Sequence, residues 1–365
     1  MSNSSKGSRP GVRAGLRGVA VWAALAALLA GCGGGGAAKP AAEGASPAAA
    51  ADGKSVTLVV GAYSVAKDAL QEIMPAFRKE WQAKTGQDVR FQESYEASGT
   101  QARSIVGGFE ADVAVLSLEG DMDKIVKAGL MQSGWKQGAD GGMITRSIVA
   151  MGTRKGNPLG IKDFEDLTKP GVKVLYPNPQ VSGGAQWDIN AIYGAGLKRS
   201  EEETGTKDPE AAKRFLAAVH RNIESMDKSG RASMAAFEYG VGDVIVTYEN
   251  EILARQAQGV DYEIVRPART ILIENPAAVV DRNADAHGVR KAADAFVAYL
   301  HGEAAQEILA RHGFRPVAPE AAARWANRFP EPADLFDIGY LGGWTEVKNT
   351  LYSKRGIWYQ VLAGK

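Results

Sequence analysis

The sequence predicts an α/β protein of two lobes with mainly parallel sheets, joined by crossovers that act as hinges. Two observations carry that prediction. Apolar strand runs alternate with helical stripes along the chain, the pattern of βα repeats in parallel sheets. Such repeats occur on both sides of a middle segment, so one lobe is discontinuous and the other is inserted into it. Lobe 1 takes residues 55–145 and returns, with the C-terminal helices, over 269–365; lobe 2 takes residues 146–268. A length of 365 residues, against ~100–200 per domain, leaves room for both cores.

Residues 1–31 read as a targeting leader. Lys6, Arg9, Arg13 and Arg17 precede an apolar run of twelve residues from Val19 to Ala30, too short for the ~20 that a membrane-spanning helix needs. The run ends Leu29-Ala30-Gly31-Cys32 and resembles the lipobox of bacterial lipoproteins, in which the chain is cut before the cysteine and that cysteine is lipidated. The expectation is an exported protein, tethered through Cys32 to a membrane and facing the periplasm or the outside. Cleavage removes four basic and no acidic residues, taking the formal net charge from +1 to −3. Residues 32–54 are rich in Gly and Ala, have no apolar period and read as a flexible tether. From Gly33 onward its 22 residues reach roughly 25 Å.

The lobes then follow in order. Val56–Val60 is an apolar strand. From Ala66 to Lys84, Leu70, Ile73, Met74, Phe77 and Trp81 make a helical stripe despite Pro75, and Gly86 ends it. Val89–Ser94 is the second strand, a helix follows from about Thr100 to Val106, and Ala111–Leu118 is the third strand. Further strands are expected at Val172–Pro177, Asp243–Glu249, Tyr262–Val265 and Ala277–Val280. Helices are expected near Pro209–Arg221, 287–300 and 303–311.

In open α/β sheets, ligands collect at the loops where strands give way to helices. Three such loops are rich in Ser and Gly: Glu93–Thr100, Pro177–Ala185 and Lys228–Ala232. A helix N-terminus offers unpaired N–H donors and about half a positive charge. One such loop is ordinary N-capping, whereas several aimed at one cleft can hold a dehydrated dianion without a counter-charge. Spacing alone leaves the ligand open.

Other functions lack material. A net charge of +1 gives no footprint for nucleic acid. One Cys and four His supply neither C-x-x-C nor H-E-x-x-H, so neither a metal nor any other cofactor is expected. A hydrolase acting through a Ser-Gly loop would want G-x-S-x-G or a nearby His, but the motif is absent and His220, His287, His301 and His312 lie outside the three loops. Glu249 and Glu251, read at a strand end, do not converge on one substrate. Trp187 and Trp344 read as packing residues rather than a carbohydrate platform. An adhesive lipoprotein would not need the three loops.

Ser98–Arg103, Phe109–Leu116, Arg154–Val174, PNPQVSGGAQW from Pro177 to Trp187, GVGDVIVTYENE from Gly240 to Glu251, Pro276–Asp281 and Leu341–Val347 occur in this order. Together they resemble the periplasmic sulfate and thiosulfate binding proteins of ATP-binding cassette importers, over about residues 56 to 360. The resemblance implies the type II periplasmic binding protein fold and a monomer that delivers its ligand to a permease and ATPase. It places a tetrahedral oxyanion in the cleft, sulfate or thiosulfate first and phosphate, molybdate or tungstate as alternatives. Carried over by motif, the binding positions are Ser64, Ser98, Ser182, Gly183, Gly184, the Ser229-Gly230-Arg231 turn and Tyr248. The chain departs from the family pattern at Ser64, usually Asp, at Glu96 and Ala97, usually small residues, and at Tyr248, usually Trp. Sulfate at neutral pH carries no proton and suits a pocket of donors, whereas hydrogen phosphate needs an acceptor, for which Glu96 and Tyr248 are the candidates.

Overall fold

The computed structural model describes residues 55–364; the leader, Cys32 and the tether lie outside the described residues. The strands are β1 (Ser55–Tyr63), β2 (Asp88–Glu96), β3 (Val113–Val115), β4 (Met143–Thr153), β5 (Val174–Leu175), β6 (Ile223–Ser225), β7 (Val244–Tyr248), β8 (Glu263–Val265), β9 (Arg269–Val279) and β10 (Asp334–Phe336). The first seven helices are α1 (Lys67–Thr85), α2 (Ser98–Val106), α3 (Glu119–Lys127), α4 (Gly183–Thr204), α5 (Pro209–His220), α6 (Gly230–Glu238) and α7 (Glu249–Ala257). After β9 come α8 (Asp281–Ala286), α9 (Arg290–His301), α10 (Glu303–Arg311), α11 (Pro319–Trp325), α12 (Gly343–Thr350) and α13 (Ile357–Leu362).

The strands run in the order β2-β1-β3-β9-β4-β7-β5-β6, with β8 on β4 and β10 on β9. β1 pairs in parallel with β2 and β3, and β5 in parallel with β6 and β7, so each lobe has a parallel centre. Two long strands join them. β4 pairs with β9 through Ile148 and with β7 from Val149; β9 pairs with β4 through Pro276 and with β3 from Ala277. The chain passes from one lobe to the other inside these strands.

The helical stripe on α1 is buried at Leu70, Ile73, Met74, Phe77 and Trp81, and Gly86 caps the helix at φ 74°, a conformation glycine adopts at no steric cost. Pro75 is exposed, so the carbonyl its ring deprives of a partner can turn to water. Phe296 of α9 packs against Phe77 and Phe91 in lobe 1. The last helices go elsewhere: Trp344 of α12 meets Trp187, and Trp358 of α13 meets Tyr176 and His220. The C-terminus is thus laid on lobe 2.

Candidate functional site

A small cavity lies where helices of both lobes begin. It is lined by Tyr63, Ser64 and Val65 before α1, Ala97 and Ser98 at α2, Ser117 after β3, Pro177, Ser182, Gly184 and Asp188 around the start of α4, Ser229 and Gly230 at α6, and Thr247 and Tyr248 before α7. Its empty volume is about 330 Å³ counting the open mouth, so the enclosed part is much smaller and has no room for a large organic ligand. Five chain segments that open helices therefore meet around a space suited to a small solute. No lysine, arginine or histidine is among the lining residues, so the positive potential inside comes from helix ends and N–H groups.

The hydroxyls have distinct bonding. Ser182 accepts from Ala185 N at 3.3 Å and Ser229 from Ala232 N at 3.1 Å; as N-caps they use a lone pair and keep the O–H free. Ser98 donates to Asp121 at 2.6 Å and accepts from Ser117 N at 3.0 Å, so its proton is committed within the protein. Asp121 is in turn met by Lys124 at 2.5 Å. The Ser117 carbonyl accepts from Trp187 Nε1 at 2.7 Å and Asn275 Nδ2 at 2.8 Å, which ties α4 and β9 to the end of β3. Ser117 Oγ and the Tyr248 hydroxyl, both buried, make no hydrogen bond among the described residues. Burial pushes the Tyr248 phenol well above its ordinary pKa, so it keeps its proton and can donate.

Asp188 lies one helical turn beyond Gly184 on α4, 1% exposed, with Oδ1 unpartnered. Burial alone drives its pKa well above its ordinary value.

The profile of the family described as bacterial extracellular solute-binding protein matches residues 58–315. The chain belongs to this family. It is 41% identical over 321 residues to a sulfate-binding protein of Synechococcus elongatus, an alignment spanning 86% of this chain and 89% of that one. It is 34% identical to a thiosulfate-binding protein of Pseudomonas aeruginosa, over 82% of this chain and 90% of the relative. Among solved structures, the sulfate-binding protein SubI from Mycobacterium tuberculosis superposes with a TM-score of 0.74 at 35% identity, covering 82% of this chain and all of that one.

In this solute-binding protein the cavity gathers five of the seven expected positions: Ser64, Ser98, Ser182, Gly184 and Tyr248. The remaining two are displaced from its wall. Gly183 is wedged against Ser117 and Ser98, where any Cβ would collide with the Ser117 hydroxyl. Arg231 turns its guanidinium to Asp68 of α1 at 3.0 Å and to Glu251 at 3.4 Å, because two carboxylates outbid an open cleft for it; Ser229 and Gly230 represent that turn in the cavity. Glu96 is exposed at the end of β2 and does not reach the wall.

Glu249 and Glu251 fall in the first turn of α7 instead of on a strand. They still diverge: Glu249 goes to Arg266 at 2.6 Å and Arg315 at 2.7 Å, Glu251 to Arg231. The four histidines pair with Tyr176, Asp112, Asp140 and Glu72, outside the cavity. Ser117 and Asp188 escape the sequence reading. Ser117 falls within the Ala111–Leu118 run that reads as a strand, whereas the strand ends at Val115. Asp188 follows the Ser-Gly-Gly loop at helical spacing from Gly184, and that spacing was the available signal.

Proposed function

We propose that this chain is the solute-binding component of an ATP-binding cassette importer and that it captures sulfate in the cavity between its lobes. The convergence of five helix-opening segments on a small space without a lining cation carries this reading, since such a site compensates a dianion with dipoles and hydrogen bonds. The sulfate- and thiosulfate-binding relatives support it. The donors are the Ser182 and Tyr248 hydroxyls, joined by Ser117 Oγ and the first-turn N–H groups at Ser64, Ser98, Gly184 and Gly230, while Gly183, behind the wall, lets the start of α4 come close. Arg231 acts from behind the wall, as a link between α6 and α1. The chain binds and releases its anion without chemistry on it, as a monomer that hands the anion to a permease.

The lobe boundaries proposed are 55–145 with the return from 269, and 146–268, the last helices lying on lobe 2. Export, cleavage before Cys32 and lipidation there complete the reading; Cys32→Ser should move the protein from the membrane to the soluble fraction. Calorimetric titration of purified protein with sulfate, thiosulfate, molybdate, tungstate and phosphate tests the ligand. Sulfate or thiosulfate should bind most tightly, and hydrogen phosphate more weakly, because its proton must find an acceptor in a wall made chiefly of donors, a penalty of ~1–3 kcal/mol where it does not. Preference for another anion, or no binding, refutes the assignment.

A further inference from the structure

A dianion and a buried carboxyl are asked to share one dry space. Asp188 lines the cavity and is 1% exposed, yet among the described residues no lysine or arginine pairs with it, and Oδ1 carries no hydrogen bond. We propose that the protein takes up a proton with its anion: Asp188 is ionised in the open cleft and becomes a neutral acid, able to donate its O–H, when the lobes close on sulfate. This rests on the sulfate reading above.

The surroundings supply no other way to hold the charge. The groups that feel Asp188 are three phenols, Tyr176 after β5, Tyr248 at the end of β7 and Tyr352 after α12, each pushed up chiefly by burial and further by this carboxylate. Tyr176 is bonded to His220 Nδ1 at 2.6 Å. Tyr352 donates towards Gln186 O at 3.0 Å and Asn190 at 2.8 Å. Burial pushes His220 down, towards the neutral ring. The nearby charges are already matched, Asp121 by Lys124 and Arg231 by Asp68 and Glu251. An ionised Asp188 would put three negative charges into the closed cavity with sulfate, against two when it is protonated. Ionised Asp188 could instead accept the proton of hydrogen phosphate, but that arrangement also carries three. Like charges at such a site raise the carboxyl's affinity for a proton further.

Because the acid's pKa is higher in the bound form than in the free form, affinity is full below the free-form pKa. It falls up to tenfold per pH unit above that value, until the bound-form pKa is reached. The experiment is sulfate titration calorimetry on the wild-type protein from pH 5 to 9, each pH in two buffers of different ionisation enthalpy, repeated with Asp188→Asn. Wild type should absorb up to one proton per sulfate and weaken with pH, and the variant should bind sulfate with no proton uptake and a flat profile. Sulfate binding by wild type without proton uptake across this range, or uptake that persists in Asp188→Asn, overturns the proposal. Tighter binding of phosphate than of sulfate, lost in Asp188→Asn, also overturns it, with Asp188 then an ionised acceptor. Absence of wild-type binding to sulfate and thiosulfate would instead strike the functional assignment. Since the wild-type proton count stands alone, a poorly folded variant would not obscure the result.

Discussion

Ser98 and Ser182 look interchangeable in the sequence, each a hydroxyl at the start of a helix, but their protons have different destinations. Ser182 caps Ala185 N with its oxygen and retains its proton, so Ser182→Ala should remove a charge-assisted bond of ~1.5–3 kcal/mol and weaken sulfate binding roughly 10–150-fold in a calorimetric titration. Ser98 donates its hydrogen bond to buried Asp121. Ser98→Ala should therefore cost ~1–3 kcal/mol of stability in a urea melt, with a smaller loss of affinity than Ser182→Ala. Glu96→Gln should leave sulfate affinity unchanged, because that side chain is exposed off the cavity. The sequence made the serines visible because Ser before a helix is a local signal. The direction of a hydroxyl depends on Asp121, 23 positions away, and no local pattern contains it.

At the scale of elements, the apolar runs of β1 and β7 are legible because both strands are central in the sheet and largely buried. β4 lacks such a signal. Its segment MITRSIVAMGT carries Arg146 among small and polar residues, since it serves two neighbours in succession and has no single pattern of faces. β9 is legible only from Ala277, its part beside β3; the half containing Arg269 and Glu274 lies in the crossing. That crossing is fastened by Glu249, fully buried, between Arg266 and Arg315. Glu249→Gln should leave two arginines without their counter-charge and lower stability by ~3–5 kcal/mol, seen as a lower urea midpoint with an unchanged slope. At α4, Gly183 lets the helix end approach Ser117. Gly183→Ala should hold the lobes apart and weaken sulfate at least tenfold, while thermal stability without the anion stays level or rises, since Ala is the better helix former.

For the whole molecule, the two crossing strands predict a hinge. Sulfate should reduce the radius of gyration in small-angle scattering, and an unchanged radius under saturating anion would argue against lobe closure. The same strands set the order in which the molecule can be completed. The β1-β2 and β1-β3 pairs join segments close in sequence, but the open edge of β3 waits for Ala277–Val279 of β9, which emerge only after all of lobe 2 has been made. The lobe that starts first is finished last, and until then its sheet presents a free strand edge, the kind of surface on which unfinished chains stick to one another. Lobe 2 has no such wait for its parallel centre, because β5, β6 and β7 lie within one uninterrupted stretch. A chain truncated before Arg269 should thus leave lobe 1 aggregation-prone while the lobe 2 centre still assembles, so that nascent-chain length decides when this protein becomes safe to release.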